Sequence, residues 1–253
     1  MNVALKIWRQ PDARSEGRFV RYWVEGADPA GSVLDALDLL NEQLVRSGER
    51  PIAFDSDCRE GICGACGVVV DGRPHGARPC TTTCEAPLRD FEEGAEITLE
   101  PFRTGVFRVV CDLVVDRSAL DRVVAAGGFV STRTGSAPEA NAVAVPKQAA
   151  ERALDAAQCI GCGACAAACP NGAASLFAGA KLAHLGALPQ GQPERARRAL
   201  AVTRALEAEG FGACSLHREC ERACPKAIGV GVIARMNGDV LAATVAEVDH
   251  GTR

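Results

Sequence analysis

The run CIGCGACAAACP, from Cys159 to Pro170, constrains this chain more than any other stretch. Three cysteines are each separated by two residues, a fourth follows after three more, and a proline closes the run. Thiolates at this spacing can wrap one face of an iron–sulfur cube while the backbone between them turns tightly. Where two such clusters occur, the fourth cysteine serves the other cluster, which predicts a second cysteine set downstream. Cys214, Cys220 and Cys224 supply it, the last followed by Pro225.

Thirteen cysteines in 253 residues could also mean a disulfide scaffold, but those are usually short and secreted. This chain opens MNVALKIWRQ, with neither a long apolar segment nor a twin arginine. Clustered thiols without a leader point to metal ligation in a reducing compartment. The net charge of −4, with no block of Lys or Arg, gives no nucleic-acid signal. No window reaches the roughly 18 apolar residues of a membrane span, so the chain is expected to be soluble by itself, which leaves docking on a membrane subunit open. Only 4% of residues are aromatic, so the cores must rest on Ala, Val, Leu and the cofactors.

Segments 3–8 and 18–26 alternate apolar and polar residues and predict a β-hairpin, with Trp8 and Trp23 on the sheet or in its core. A helix follows over 33–47, with Ser32 as N-cap and Gly48 as its stop. Two strands, a helix and then a cysteine loop is the order of a β-grasp domain. The loop holds Cys58, Cys63 and Cys66 in the C-x4-C-x2-C spacing of plant-type [2Fe–2S] ferredoxins. Glycines between them let backbone N–H groups approach the cluster sulfurs. Arg59 and Glu60 read as a solvated ion pair, and the fourth ligand is either Cys80 or Cys84.

Residues 94–102 predict a further strand, and Ser118 with Asp121 a capped helix ended by Gly127-Gly128. Cys111 reads as a buried, unligated thiol. Residues 129–146 read as an arm or linker, and 147–158 as the helix that delivers Cys159. Two more helices fill the long excursion between Cys169 and Cys214, the second with Arg195, Arg197, Arg198 and Glu207 on a solvated face. A last helix is expected over about 231–247. The fold class is therefore α+β, with residues 1–106 as the β-grasp domain and 107–253 as an all-helical, bacterial-ferredoxin-like domain.

Zinc is the competing ligand for any C-x2-C pair, but it prefers two well-separated pairs. Here two runs of three cysteines each await a distant fourth, which favours iron–sulfur clusters. By the bacterial-ferredoxin rule Cys159, Cys162 and Cys165 take Cys224 as fourth ligand to a [4Fe–4S] cluster. Cys169 then joins Cys214 and Cys220, with His217 where a further cysteine would complete a four-iron set. Three thiolates suit a [3Fe–4S] cluster; the alternative is ligation of a fourth iron by His217. No nucleophile–base pair or phosphate-cradling loop accompanies these sites, so catalysis on an organic substrate is expected on partner chains.

A plant-type cluster followed by a bacterial-type pair resembles the iron–sulfur subunit of succinate dehydrogenase and fumarate reductase. The resemblance spans nearly the whole chain and is carried by DCREGICGACG (57–67), DLVVDRSALDRV (112–123), CIGCGACAAACP (159–170) and CERACPK (220–226). The segment CEAPLRDFEEG (84–94) looks like the family's stretch beginning at the fourth two-iron ligand, and that alignment selects Cys84. HGARPCTTTC looks closest to the branch that works with a single dihaem cytochrome b subunit.

The resemblance implies a peripheral subunit on the cytoplasmic face of a bacterial inner membrane. It would sit between a flavoprotein carrying covalent FAD and a membrane anchor, of one or two chains, that holds haem b and binds quinone. Residues 171–175 lack the tryptophan, and Ser215 replaces the histidine, of many ubiquinone-binding members, which favours a quinone site elsewhere in the anchor and leaves menaquinone open as the quinone. The competing expectations are a soluble polyferredoxin carrier, the iron–sulfur subunit of another flavin dehydrogenase such as a thiol-dependent fumarate reductase, and a zinc-stabilised scaffold.

Overall fold

A computed structural model describes residues 1–133, 139–142 and 145–251, the last five as backbone only. The N-terminal part contains β1 (Val3–Arg9), β2 (Arg18–Val24), α1 (Val33–Arg46), β3 (Val68–Val70), β4 (Arg73–Pro74) and β5 (Glu96–Pro101). They form one mixed sheet in the order β2-β1-β5-β3-β4. β1 and β2 pair antiparallel from Val3↔Val24 to Arg9↔Arg18, while β5 runs parallel to β1 on its other side. Asp71 and Gly72, both at positive φ, make the two-residue turn between β3 and β4 that right-handed strand twist favours. This is the β-grasp expected from the element order.

Pairing on both edges explains why Val3, Leu5 and Ile7 are fully buried, in one core with Val33, Leu37, Leu40 and Leu44 of α1. The helix begins on a complete capping box: Ser32 N–H donates to Asp35 Oδ2 at 2.7 Å, and Asp35 N–H donates to Ser32 Oγ at 3.3 Å. Both tryptophans lie on the sheet face, Trp8 half-buried under Arg103 and Trp23 exposed.

A small hairpin of β6 (Val109–Cys111) and β7 (Val114–Val115) joins the sheet to the helices. Asp112 in its turn is fully buried. Its Oδ1 accepts from Gln10 N–H and from Arg50, both at 2.8 Å, and its Oδ2 from Ala53 N–H at 3.0 Å. Arg9 stands 3.5 Å away. One carboxylate thus fastens three separate segments. Cys111 beside it is half-buried rather than buried, and its Sγ accepts from Arg50 at 3.2 Å.

The helices are α2 (Ser118–Ala125), α3 (Lys147–Ala157), α4 (Ala164–Ala168), α5 (Ser175–Ala187), α6 (Arg195–Ala208), α7 (Glu219–Arg222) and α8 (Gly231–Gly251). α5 is buried over most of its surface and packs against α3, α6 and α8. At Gly179 an added β-carbon would stand 2.9 Å from the Val232 carbonyl, so only glycine lets α5 and α8 lie this close.

Two local expectations are corrected. Ser118 is the first residue inside α2, not its cap: the N-cap is Arg117 without a side-chain bond, and Asp116 accepts from Ser118 N–H at 2.9 Å. Arg198 is not on a solvated face. It is buried and donates to the carbonyls of Gly127, Phe129 and Gly191, with Glu194 at 3.4 Å. Those carbonyls end α2 and precede α6, and without this donor they would be buried unpaired. The arm expected over 129–146 is fastened at its start, where Ser131 N–H donates to Glu194 at 2.8 Å. Residues 134–138 and 143–144 of that arm lie outside the described residues.

Replacing Asp112 by Ala leaves Arg9, Arg50 and two backbone N–H groups without their acceptor. The expected loss is about 3 kcal/mol, a fall in melting temperature of roughly 6–12 °C for a chain of this size. Asp121→Ala, on the exposed face of α2, should leave the thermal midpoint within about 2 °C of the parent.

Candidate metal centres

The first cysteine loop lies against the N-terminal half of α1, where Arg59 pairs with Asp38 and, at 3.3 Å, with Asp35. The expected Arg59–Glu60 pair is therefore absent: Glu60 contributes its N–H, which points at Cys58 Sγ at 3.4 Å. A second N–H···S contact runs from Ala65 to Cys63 at 3.4 Å. Cys84, in a short 3-10 turn over Thr83–Glu85, is buried against Leu34 and Cys66. Cys58 neighbours Cys63, and Cys66 neighbours both Cys63 and Cys84. The structure thus gathers Cys58, Cys63, Cys66 and Cys84 and leaves Cys80 exposed in a left-handed turn with φ +53°.

A residue the sequence reasoning missed holds Cys84 in place. His75 is buried, and its Nδ1 accepts from Thr83 N–H at 3.2 Å with Thr83 Oγ1 at 3.0 Å. Accepting at Nδ1 puts the ring proton on Nε2, which has no hydrogen-bond partner. The ring stands edge-on to Phe102 at 5.3 Å. Burial, with the Arg117 charge second, pushes the imidazole down to about 4, so it stays neutral. The only hint in the sequence is its place just past the Asp71-Gly72 turn, where a strand residue returns inward.

The second set is Cys159, Cys162, Cys165 and Cys224, which line one cavity together with Gly161, Leu176 and Phe177. Ile228 N–H points at Cys224 Sγ at 3.5 Å. Cys169, Cys214 and Cys220 line another, with Leu216, Val230 and Ile233. His217 borders that same cavity from the exposed side. Among the described residues no three His, Cys, Asp or Glu side chains are grouped to hold a single metal ion. A zinc ion needs thiolates about 2.3 Å from one point, whereas these thiols stand around spaces.

The electrostatics fit a cationic metal core. Burial pushes the Cys66 and Cys162 thiols up to about 12, Cys165 well above its ordinary value, and Cys159 and Cys220 upward. Alone these groups stay protonated; metal charge offsets the desolvation and makes them thiolates, with release of protons. Cys58 differs, because N–H groups of Glu60 and Ile62 pull it down to about 7. Soft sulfur donors with backbone N–H groups aimed at them are the donor chemistry of iron–sulfur clusters.

The three sets adjoin one another. At Gly64, φ +73°, an added β-carbon would lie 2.5 Å from the Ile160 carbonyl, so the first and second cysteine loops touch backbone to backbone. α4, which carries Cys165 of the second set, packs on α7, which carries Cys220 of the third.

Comparison with known proteins agrees with this layout. Residues 4–122 match the family described as a 2Fe-2S iron-sulfur cluster binding domain, and residues 155–228 match a 4Fe-4S dicluster domain. A fumarate reductase iron-sulfur subunit of Mycobacterium tuberculosis is 31% identical over 92% of this chain and 90% of its own length. A succinate dehydrogenase iron-sulfur subunit of Bacillus subtilis is 29% identical over 83% and 82%. One chain of the Mycobacterium smegmatis Sdh1 complex in the apo form shares the fold, with a TM-score of 0.61, 19% identity and coverage of 94% and 95%.

Cys84→Ser is expected to abolish the two-iron EPR signal, whereas Cys80→Ser, exposed and apart from the other thiols, should leave its amplitude and g-values unchanged. The reverse pattern would transfer the ligand role to Cys80.

Proposed function

The chain belongs to the family of iron–sulfur subunits of succinate dehydrogenase and fumarate reductase, and we propose that it relays electrons within a membrane-bound succinate:quinone oxidoreductase or fumarate reductase. Cys58, Cys63, Cys66 and Cys84 hold the [2Fe–2S] cluster in this reading. Cys159, Cys162, Cys165 and Cys224 hold the [4Fe–4S] cluster, and Cys169, Cys214 and Cys220 the [3Fe–4S] cluster. Bound clusters supply one-electron redox capacity; the chain supplies thiolates, N–H donors and fixed spacing. The organic chemistry belongs to the FAD of a flavoprotein subunit at one end, and haem b and quinone belong to a cytochrome b anchor at the other. Among the described residues no helix is long and apolar enough to cross a membrane, and we assign attachment, on the cytoplasmic face, to that anchor. We divide the chain at 106/107, with the 107–115 segment contributing Phe107 to the helical core and Leu113 to the sheet core.

The observation that carries this reading is contiguity. Three thiol sets, each compact, meet in series through the Gly64–Ile160 contact and the packing of α4, with Cys165, on α7, with Cys220. Separate cofactor sites on a scaffold would not need to touch. The test is iron and acid-labile sulfide analysis with EPR on the chain purified in its detergent-solubilised complex. Three distinct signals and about nine irons per chain are expected from the cluster types; one cluster or none overturns the proposal. In the same preparation His217→Ala should leave the third signal three-iron-like. Loss of that cluster or a change of nuclearity would instead make His217 a ligand.

A further inference from the structure

Arg117 occupies the seam between the first two cysteine loops. Its guanidinium donates from Nη1 to the Gly64 carbonyl and, at 3.0 Å, to the Cys162 carbonyl, and from Nη2 to the Ala65 carbonyl at 3.4 Å. Gly64 and Ala65 lie between Cys63 and Cys66, and Cys162 is itself in the second set. One side chain therefore grips the backbone of both loops. Only a planar fork with several fixed donors can do that; a lysine ammonium, a point charge, would have to choose.

The charge on this group has a second consequence. Arg117 is half-buried, and among the described residues no carboxylate pairs with it. A partly desolvated cation held by neutral carbonyls is costly unless negative charge lies close by. If the proposed function is right, the thiolate-held centres on either side supply that charge. The field of Arg117 does reach its surroundings, since it adds to burial in lowering the pKa of His75 behind the Cys84 turn.

We propose that Arg117 is a positioning residue for electron transfer between the two-iron and four-iron centres, clamping their loops at fixed separation and placing a permanent positive charge between them. The step it serves moves one electron from the first site to the second, with no bond made or broken. A cation between two sites that each gain negative charge on reduction favours the reduced state of both. It therefore raises both midpoint potentials together.

This inference rests on the cluster assignment above, and the test separates the two. Arg117→Gln and Arg117→Lys are made in the full complex, and iron, sulfide and EPR-monitored redox titrations are compared with the parent. Arg117→Gln should keep all three signals while the midpoints of the two-iron and four-iron centres both shift downward and that of the third stays in place. Arg117→Lys, which retains charge but not the fork, should stay closer to the parent than Gln does at both centres. Full cluster content in Arg117→Gln with unmoved midpoints, or with only one of the two displaced, would sink the role of Arg117 and leave the function intact. If Gln loses its clusters, Lys decides: loaded with near-parental midpoints it supports the proposal, and loaded with both displaced downward it overturns it. Loss of clusters in both variants would reduce Arg117 to a folding contact and overturn it too. Absence of the signals in the parent would instead sink the functional reading.

Discussion

The structure depends on how closely two loops of backbone can lie. At Gly64 there is no room for a β-carbon, because the Ile160 carbonyl would meet it at 2.5 Å. That contact brings the sheet domain and the helical part together at their cysteine loops rather than at some other surface. Electron transfer slows steeply with distance, so in the proposed relay a packing contact that costs nothing but a side chain would become a functional dimension. Arg117 and the Phe102 ring hold the seam from either side: Phe102 follows β5 yet packs in the core of the helical part.

The remaining joints follow the same logic, with buried polar groups set where segments must be fixed but little apolar surface exists. With 8 Phe, 2 Trp and 1 Tyr, the chain cannot weld its parts with aromatic bulk. Asp112 gathers backbone from Gln10 and Ala53, and Arg198 gathers carbonyls from the end of α2 and the approach to α6. Each such group is satisfied by several partners, which is what makes its burial tolerable. Some of the scarce rings pack against the cysteine loops: Phe177 borders the second thiol set, and Phe107, which meets Phe211 edge-on at 5.9 Å, lies against Gly163.

Much of this was legible in the sequence because cysteine spacing is a local signal. The runs at 58–66 and 159–169 name their own chemistry, and the hairpin, α1 and the helices of the excursion announce themselves by periodicity and, at α1, by Ser32 and Gly48. What escaped were long-range partners. Arg198 has the sequence context of a solvated helix face, and only the arrival of the 127–129 carbonyls, some 70 residues away, buries it. Arg59 pairs with α1 rather than with its neighbour for the same reason. His75 and Arg117 lie in segments that carry the family resemblance, HGARPCTTTC and DLVVDRSALDRV, yet neither segment names their partners. Their roles appear once the fold brings Thr83, Gly64 and Cys162 to them.

The environments of the three thiol sets differ in a way that suits a conductor. In the middle set burial raises the pKa of Cys162 and Cys165 strongly. The outer two reach the surface: Ile62 beside Cys63 is 61% exposed, and Leu216 beside the third set is 65% exposed. Cys214 is exposed, and Leu216 and Arg218 sit in left-handed backbone conformations that turn this loop outward. An apolar side chain left in solvent next to each terminal set is what a protein partner would cover. In the proposed relay electrons would enter at one exposed loop and leave at the other, so the order of the sites in space, and not merely their presence, would set the path.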